Sequence, residues 1–304
     1  MSSTAPLNVI APAKVNLYLH VTGRRDDGYH LLDSLVVFAD VADQITIAPA
    51  SRFSLAIEGP YAAAFTAEDR DQGPLSRNLV ARAAHACAQH FNHPLDCRVT
   101  LVKNLPLAAG LGGGSADAAA VIWGLIRFWQ LKTPPMASLM SLLLSLGADV
   151  PVCYLAQGAH VTGVGEVLFP YEEMPEWSAV LVNPRQSCPT PAIFRSYRDQ
   201  TDEFSLPTVL PEVLDDQDTA LSLLHERRND LQDAAISQIP AIAAVIKALE
   251  QTPNVSLARM SGSGATVFAL YPDDDSARHA AEQIMARFPD WWVKPCRLNS
   301  VVRY

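Results

Sequence analysis

The chain has 304 residues, of which 49 % are apolar and 18 % charged. This composition supplies a sizeable core and excludes a disordered chain, and the length indicates two domains or one large one. Lysine and arginine number 23 against 32 acidic residues, a net charge of −9. We therefore expect no nucleic-acid partner and no anionic membrane surface, because both require a basic protein. No apolar stretch is long enough to predict a membrane span.

Cysteine usage and the N-terminus indicate the compartment. The five cysteines are odd in number and include no C-x-x-C pair. A disulfide framework or a zinc site is therefore disfavoured, and a reducing cytoplasm is expected. The first eight residues show no basic segment followed by an apolar one, so no secretory signal is predicted.

The N-terminal half begins with a strongly patterned strand. Apolar and polar residues alternate along 8–22, which predicts one buried face and places Lys14 and Asn16 on the other. The Asp-Gly pair at 27–28 predicts a hairpin turn. Further strands are expected at 30–38, 44–57 and around 97–101, with helices at 77–91, after Ser115 for about fifteen residues, and at 136–146. A first domain is predicted to span 1–160.

The C-terminal half, 161–304, is predicted to form a second domain. Acidic side chains crowd residues 199–218, which we interpret as a solvated surface segment rather than a metal site. Helices are expected at 219–237, 240–251 and 276–288, and strands at 265–271 and 291–303.

A glycine-rich segment between a predicted strand and a predicted helix is the strongest functional signal. The candidate phosphate-binding residues are Pro106, Leu107, Ala108, Ala109, Gly110, Leu111, Gly112, Gly113, Gly114, Ser115 and Ala116. Glycines allow close approach of the backbone, and free N–H groups at a helix start favour a phosphate. A tight turn is the structural alternative, but four glycines in one loop exceed what a turn needs.

Other phosphate-binding motifs fit less well. The chain contains no Gly-Lys pair, so the P-loop pattern is excluded. The dinucleotide fingerprint fits in part, but no acid lies between 118 and 148 to hold a ribose, which disfavours that interpretation.

Three further features have both structural and functional interpretations. The segment 260–265 is glycine-rich, which fits a hairpin turn or a second loop closing over the same ligand. Lys14 fits a surface lysine or a cation at a site. Asp149 fits a helix N-cap, since aspartate is favoured there, or a base that accepts a hydroxyl proton.

Together these segments resemble the GHMP kinase superfamily. The residues that carry the resemblance are 12–17, 28–32, 106–116, 147–151, 189–194 and 261–265. The resemblance implies an α/β (α+β), two-domain fold with the active site in the interdomain cleft. It is closest to a branch of the superfamily that phosphorylates the 2-hydroxyl of diphosphocytidyl methylerythritol, in the bacterial or plastidial non-mevalonate route to isoprenoids. Without a transit peptide, a bacterial cytoplasm is expected.

The resemblance also implies cofactors and catalytic residues. ATP would be the phosphoryl donor, with its phosphates in the loop 106–116 and Mg²⁺ bridging them. Asp149 would be the general base, and Lys14 beside it would stabilise the developing negative charge. Ser115 would be a magnesium contact, although no carboxylate partner for it is evident in the sequence.

At the cytidine end, the resemblance assigns Tyr29 and Phe194 to a pair that sandwiches the base, and His30 to hydrogen bonds with its edge. Asn16 and Thr190 would line the substrate site. Without the resemblance, the two aromatic residues would be interpreted as core residues and His30 as an ordinary strand histidine.

The charge of the expected ligands predicts a positive cleft, and two alternative functions are also compatible with the sequence. Because both ligands are polyanions, a locally positive cleft is expected, with candidate cations Lys14, Lys103, Arg24, Arg25 and Arg185. Two alternatives remain: another small-molecule kinase of the superfamily, and a non-catalytic nucleotide-binding protein with the same fold.

Overall fold

The computed structural model describes residues 5–201 and 203–300. Within them the strands are β1 Leu7–Arg24, β2 His30–Pro49, β3 Ser54–Glu58, β4 Cys97–Val102, β5 Ala159–Gly163, β6 Val167–Pro170, β7 Trp177–Asn183, β8 Leu257–Met260, β9 Val267–Tyr271 and β10 Trp292–Leu298. The helices are α1 Leu79–His90, α2 Gly113–Phe128, α3 Met136–Leu146, α4 Val150–Leu155, α5 Thr190–Gln200, α6 Gln217–His225, α7 Gln232–Gln238, α8 Ala241–Glu250 and α9 Asp274–Arg287. This mixture of strands and helices confirms the predicted α/β class.

The strands form one continuous sheet in the order β3-β4-β2-β10-β7-β9-β8, and both β1 and the β5–β6 hairpin pair with β2. Strands β1 to β6 form one half of the molecule and β7 to β10 the other, so β6 and most of β5 belong with the N-terminal strands although they follow residue 160. The halves meet where Leu298 of β10 pairs with Ala39 of β2. The domain boundary predicted at 160 falls inside β5, which pairs with β2 of the first half.

Strand β1 is buried on both faces, so the prediction of one buried face is wrong. Residues 11–21 are all buried. Ala11 packs into the core that contains α2, whereas Val15 and Leu17 pack into a core that includes residues of β7 and β9. A strand between two packed layers has no solvent face, so its polar side chains point into the interior.

Several predicted elements have different limits in the structure. The strands expected at 30–38 and 44–57 become a continuous β2 over 30–49 and a short β3, because β2 pairs with β1 almost to its end. The helix expected at 219–237 divides into α6 and α7, since the intervening chain pairs with β1: Asp230 N donates to Leu19 O at 2.8 Å. Residues 301–303 of the last predicted strand lie outside the described residues.

Other predictions are confirmed. Helix α3 ends at Leu146 before Gly147, and α1 lies where it was expected. Helix α2 was also expected, but it begins at Gly113, inside the glycine-rich segment, rather than after Ser115. The acidic segment 199–218 is mostly exposed over its described residues; Asp202 lies outside them. Thr208 N donates to the Asp33 carboxylate at 2.6 Å, which fastens this segment to β2. In the described part of the chain, no helix combines the length and apolar character needed to cross a bilayer.

Candidate active site

A cavity of about 410 Å³ opens between the two halves of the molecule. Its wall includes Lys14 and Asn16 of β1, the glycine-rich loop and Asp149 from the N-terminal half. Phe194 and the second glycine loop enter it from the C-terminal half. The cavity therefore brings together the separate sequence segments that carried the functional prediction.

Lys14 and Asp149 form an ion pair in this cavity. Lys14 Nζ lies 2.8 Å from Asp149 Oδ1; the lysine side chain is 7 % exposed and that of the aspartate 43 %. The Lys14 side chain is thus fixed in the wall, while the Asp149 carboxylate faces the cavity. A partly exposed carboxylate beside a buried ammonium group is suited to accept a proton from a bound hydroxyl.

The local backbone explains this geometry. Asp149 occupies the N-cap position of α4, as its structural interpretation predicted, but its side chain makes no capping hydrogen bond and contacts Lys14 instead. The register of β1 shifts between Pro12 and Lys14. Lys14 N donates to Leu111 O at 2.8 Å, which fastens the strand to the glycine-rich loop.

The glycine-rich loop ends at the start of α2. Gly112, the N-cap residue, has a left-handed φ of 60° and offers no capping side chain, and the first turn contains no acid. A side chain at Gly112 would press on Lys14, with its Cβ 3.1 Å from Lys14 Cβ. The first amides of α2 are left to the cavity, an arrangement that favours an anion.

The second glycine loop braces the first. Ser261 Oγ donates to Gly110 O at 3.0 Å, and Thr266 N donates to Ala109 O at 3.1 Å. The loops pack so closely that a Cβ on Gly110 would overlap Ser261 O. Gly262 also lines the cavity, so the two loops share one site.

Sequence reasoning missed a residue that supports the second loop. The Asn229 side-chain amide donates to Met260 O and Gly262 O, both at 2.8 Å. The structure thus gives Asn229 a bracing role. The adjacent Asn229 and Asp230 were the available signal, but nothing in the sequence linked them to the glycines.

A buried ion triad also escaped the sequence analysis. Lys103 Nζ lies 2.5 Å from Asp43 Oδ2 and 2.6 Å from Asp117 Oδ2, and all three side chains are at most 4 % exposed. Burial raises the pKa of Asp117 to about 7; Lys103 opposes this effect and Asp43 reinforces it. Burial alone would lower the pKa of Lys103, but the two carboxylates raise it.

The predicted substrate-side residues have varied surroundings. Asn16 is 4 % exposed; its Nδ2 donates to Ser34 Oγ at 2.7 Å, while its Oδ1 is buried without a partner. Thr190 Oγ1 and Ser263 Oγ lie 2.8 Å apart. An unpaired buried acceptor at a cavity wall is poised for a ligand donor.

The predicted aromatic residues are only partly assembled. Phe194 lines the cavity and stacks on His30 with ring centroids 4.9 Å apart, whereas Tyr29 is 63 % exposed. Neither His30 nor Tyr29 is among the residues that line the cavity. Burial, together with Arg24 and Arg198, lowers the pKa of His30. The ring is therefore neutral near pH 7 and can both donate and accept hydrogen bonds.

Some of the predicted cations line the cavity and others do not. Lys14 and Lys103 line the cavity, but each is ion-paired. Arg25 pairs with Asp27 on the surface, and Arg185 is not among the lining residues. In the residues that the structure describes, no group of three His, Cys, Asp or Glu side chains is arranged to hold a metal ion.

Comparison with known proteins agrees with this geometry. Residues 78–157 match the GHMP kinases N terminal domain, and residues 212–290 match the GHMP kinases C terminal family. The chain belongs to the GHMP kinases. A 4-diphosphocytidyl-2-C-methyl-D-erythritol kinase of Paramagnetospirillum magneticum is 44 % identical over 293 residues, covering 96 % of this chain and 99 % of that protein.

Further GHMP kinases support the same assignment. A kinase of the same name from Cereibacter sphaeroides is 47 % identical over 289 residues, covering 95 % of this chain and 98 % of the relative. The crystal structure of a 4-(cytidine 5'-diphospho)-2C-methyl-D-erythritol kinase has a TM-score of 0.75 and 33 % identity, covering 97 % of this chain and 100 % of that one. The predicted two-domain GHMP fold is thereby confirmed.

Proposed function

We propose that the protein transfers a phosphoryl group from ATP to the 2-hydroxyl of 4-diphosphocytidyl-2-C-methyl-D-erythritol, in the non-mevalonate route to isoprenoid precursors. Near-full-length relatives that carry this activity in their names support the substrate. The observation that carries the chemistry is the Lys14–Asp149 ion pair inside the glycine-lined cavity. The bacterial origin of the relatives supports a bacterial cytoplasmic setting.

Asp149 is the general base in this proposal. Its carboxylate removes the proton from the 2-hydroxyl as the oxygen attacks the terminal phosphorus of ATP. Lys14 orients the carboxylate through the 2.8 Å ion pair and stabilises negative charge on the attacking oxygen. Because phosphoryl transfer depends mostly on positioning and charge neutralisation, two fixed side chains supply much of what the acceptor requires.

The glycine-rich loop holds the phosphates of ATP in this proposal. Its backbone supplies N–H donors at the start of α2, and the second glycine loop keeps it in shape through Ser261. Lys14 and Lys103 in the cavity wall are engaged by buried or partly buried carboxylates, and Arg77, an exposed cation of the wall, pairs with Glu68, which leaves little free positive charge for a polyphosphate. Backbone amides and a divalent cation are therefore the available means of neutralising it.

The cavity also fits a magnesium ion. Its wall contains the Ser115 hydroxyl and a buried carboxylate oxygen of Asp117 that has no hydrogen-bond partner. These oxygen donors match the preference of Mg²⁺, which is bound through one or two carboxylates together with substrate phosphates. When bound, the ion neutralises negative charge on the phosphates.

The diphosphocytidyl end of the substrate lies toward Phe194 and His30 in this proposal. Phe194 offers a stacking face for the base, and the neutral His30 ring offers hydrogen bonds to its edge. Asn16 Oδ1, buried and unpaired, accepts a hydrogen bond from a substrate hydroxyl. Tyr29 completes the base site by moving from its exposed position onto the second face of the ring.

The test is an ADP-release assay with the diphosphocytidyl substrate, run on the wild type and on Asp149→Asn. The variant should lose turnover by about 10²–10⁴-fold, the range for a general base, and keep its nucleotide affinity. Asp274→Asn is the matched control, since Asp274 is also ion-paired and 45 % exposed but does not line the cavity.

Three results would contradict the proposal in different ways. Near-normal turnover of Asp149→Asn removes the base assignment. Turnover of mevalonate but not of the diphosphocytidyl compound assigns another substrate of the same superfamily. Nucleotide binding without turnover of any acceptor makes the chain a non-catalytic nucleotide-binding protein.

A further inference from the structure

When both of its carboxylates are ionised, the buried triad beneath the phosphate loop carries one more negative charge than positive charge. Lys103 supplies one ammonium group, whereas Asp43 and Asp117 supply two carboxylates. All three groups are shielded from water, and Lys103 Nζ lies 3.1 Å from the position that a Cβ on Gly113 would occupy. The excess charge therefore lies directly under the first turn of α2.

Asp43 alone supplies the carboxylate contacts that Lys103 and the neighbouring backbone require. Its Oδ2 accepts from Lys103, and its Oδ1 accepts the backbone N–H groups of Asn104 and Leu105 at 2.6 and 2.8 Å. One carboxylate neutralises one ammonium group, and Asp43 also anchors the chain that enters the glycine-rich loop. Neither the charge of Lys103 nor the path of the chain requires the second carboxylate.

Asp117 makes only half of its possible contacts. Its Oδ2 accepts from Lys103 at 2.6 Å, but its Oδ1 is buried and has no hydrogen-bond partner among the residues that the structure describes. The side chain is 3 % exposed and forms part of the cavity wall. A buried carboxylate oxygen with no donor is unfavourable unless a positive charge or a proton comes to it.

The other carboxylates of the cavity wall are already engaged. Asp149 contacts Lys14. Asp69 accepts the backbone N–H and the hydroxyl of Thr66 at 2.9 and 2.7 Å. Asp117 is thus the wall carboxylate whose free oxygen lies just beyond the glycine-rich loop, two residues after Ser115.

We propose that Asp117 is the carboxylate that holds the divalent cation of the bound nucleotide. Oδ1 accepts a hydrogen bond from a water molecule of the cation, since Oδ2 is engaged by Lys103 and Mg²⁺ usually keeps several of its waters. Lys103 and Asp43 are positioning residues that fix the carboxylate. This inference rests on the proposed function, which supplies the magnesium-bound nucleotide.

The charge balance explains the arrangement. A net negative triad beneath a polyphosphate site would repel the nucleotide alone. Binding the nucleotide with its cation brings positive charge to the unpaired oxygen and removes that repulsion. The cavity therefore favours the metal-bound nucleotide over the free one.

The test measures binding of a non-hydrolysable ATP analogue with magnesium and with EDTA. In the wild type, magnesium should tighten binding; in Asp117→Asn, that gain should shrink by about 10–100-fold, as for other carboxylates that orient metal-bound groups. Binding in EDTA should be unchanged or tighter, because the substitution removes a buried negative charge. Asp274→Asn again serves as the control.

A second measurement does not depend on whether the variant folds. Crystals of the wild type grown with the analogue and Mn²⁺ should show an anomalous peak about 4–5 Å from Asp117 Oδ1, the reach of a metal-bound water and its hydrogen bond. A peak beside Asp149 instead would overturn the inference.

The outcomes separate the two proposals. If Asp117→Asn keeps the full magnesium gain, or loses affinity equally with magnesium and EDTA, Asp117 does not hold the cation and the proposed function stands. If the wild type shows no magnesium gain at all, both this inference and the proposed cofactor are wrong.

Discussion

The proposed phosphate side and the proposed cytidine side of the cavity are built in different ways. On the phosphate side, main-chain contacts hold the loop: Leu111 O accepts from Lys14 N, and Ala108 O accepts from Cys188 N. On the cytidine side, side chains define the site: Phe194 stacks on His30, and Tyr29 remains 63 % exposed. The first region is preassembled, whereas the second, as we propose, completes itself around its ligand.

The difference follows from what each region must recognise. A phosphate is held by N–H groups, whose directions the backbone sets as the chain folds. A nucleobase is held between the faces of two side chains. When no ligand is bound, these side chains lie apart, and each contacts other groups or solvent. Substitutions should therefore affect folding and nucleotide binding on the phosphate side, and acceptor affinity alone on the cytidine side.

Gly110→Ala should have the largest effect. Gly110 has a φ of +73°, and a Cβ there would overlap Ser261 O and lie 2.8 Å from Gly264 N. Left-handed strain and backbone overlap together should lower the free energy of unfolding by more than about 3 kcal/mol. The measurements are denaturant unfolding and the affinity for an ATP analogue. The affinity should fall together with the stability.

Gly114→Ala is the matched control for the same loop. Gly114 lies in the first turn of α2, and the nearest atom to its Cβ position is Leu79 Cδ1 at 3.5 Å. An alanine should leave the stability unchanged or raise it by up to about 1 kcal/mol. Equal stability of the two variants would refute the preassembled phosphate loop.

Phe194→Ala should have the next largest effect, confined to the acceptor. Loss of a stacking face is worth roughly 1–3 kcal/mol, or about 5- to 150-fold in KM for the diphosphocytidyl substrate. The dissociation constant of the ATP analogue should not change. Phe169→Ala is the control, because Phe169 is 55 % exposed on β6 and lies outside the cavity wall.

Tyr29→Ala sharpens the comparison. If Tyr29 closes on the base, as proposed, its removal should raise the same KM several-fold, despite the exposure of the ring in the unliganded protein. Tyrosine fluorescence of the wild type should then respond to a cytidine diphosphate and not to the ATP analogue. An unchanged KM would leave Phe194 and His30 as the whole base site.

The phosphate side was also the more predictable one from sequence. Glycines at a strand–helix junction have few structural alternatives, so residues 106–116 were assigned directly. Helix α3 was predicted to its last residue, because Gly147 is a strong stop signal. Asp149 and Lys14 were named by resemblance, which also implied that they lie side by side. Residue patterns alone could not have shown this contact, since 135 positions of chain separate the two residues.

The buried triad shows what the sequence concealed. Asp43, Lys103 and Asp117 are far apart in the chain, and charged residues usually lie on the surface. The available signal was Asp117 itself, the one acid in a helix that is otherwise apolar over most of its faces. Helix periodicity identifies a buried face but does not show which charged residues of other elements contact that face.

The pH dependence of acceptor binding should show the smallest effect and tests His30. Because burial and the nearby arginines lower the pKa of His30, its ring stays neutral from pH 8 to about the ordinary histidine value of 6.5. KM for the diphosphocytidyl substrate should be flat over that range and rise only at lower pH, where protonation removes the acceptor nitrogen. His30→Phe should give a raised KM without this rise, with the affinity for the ATP analogue followed in parallel to correct for phosphate ionisation. A KM that already rises between pH 8 and 7, or an identical profile in His30→Phe, would show that another group reads the base.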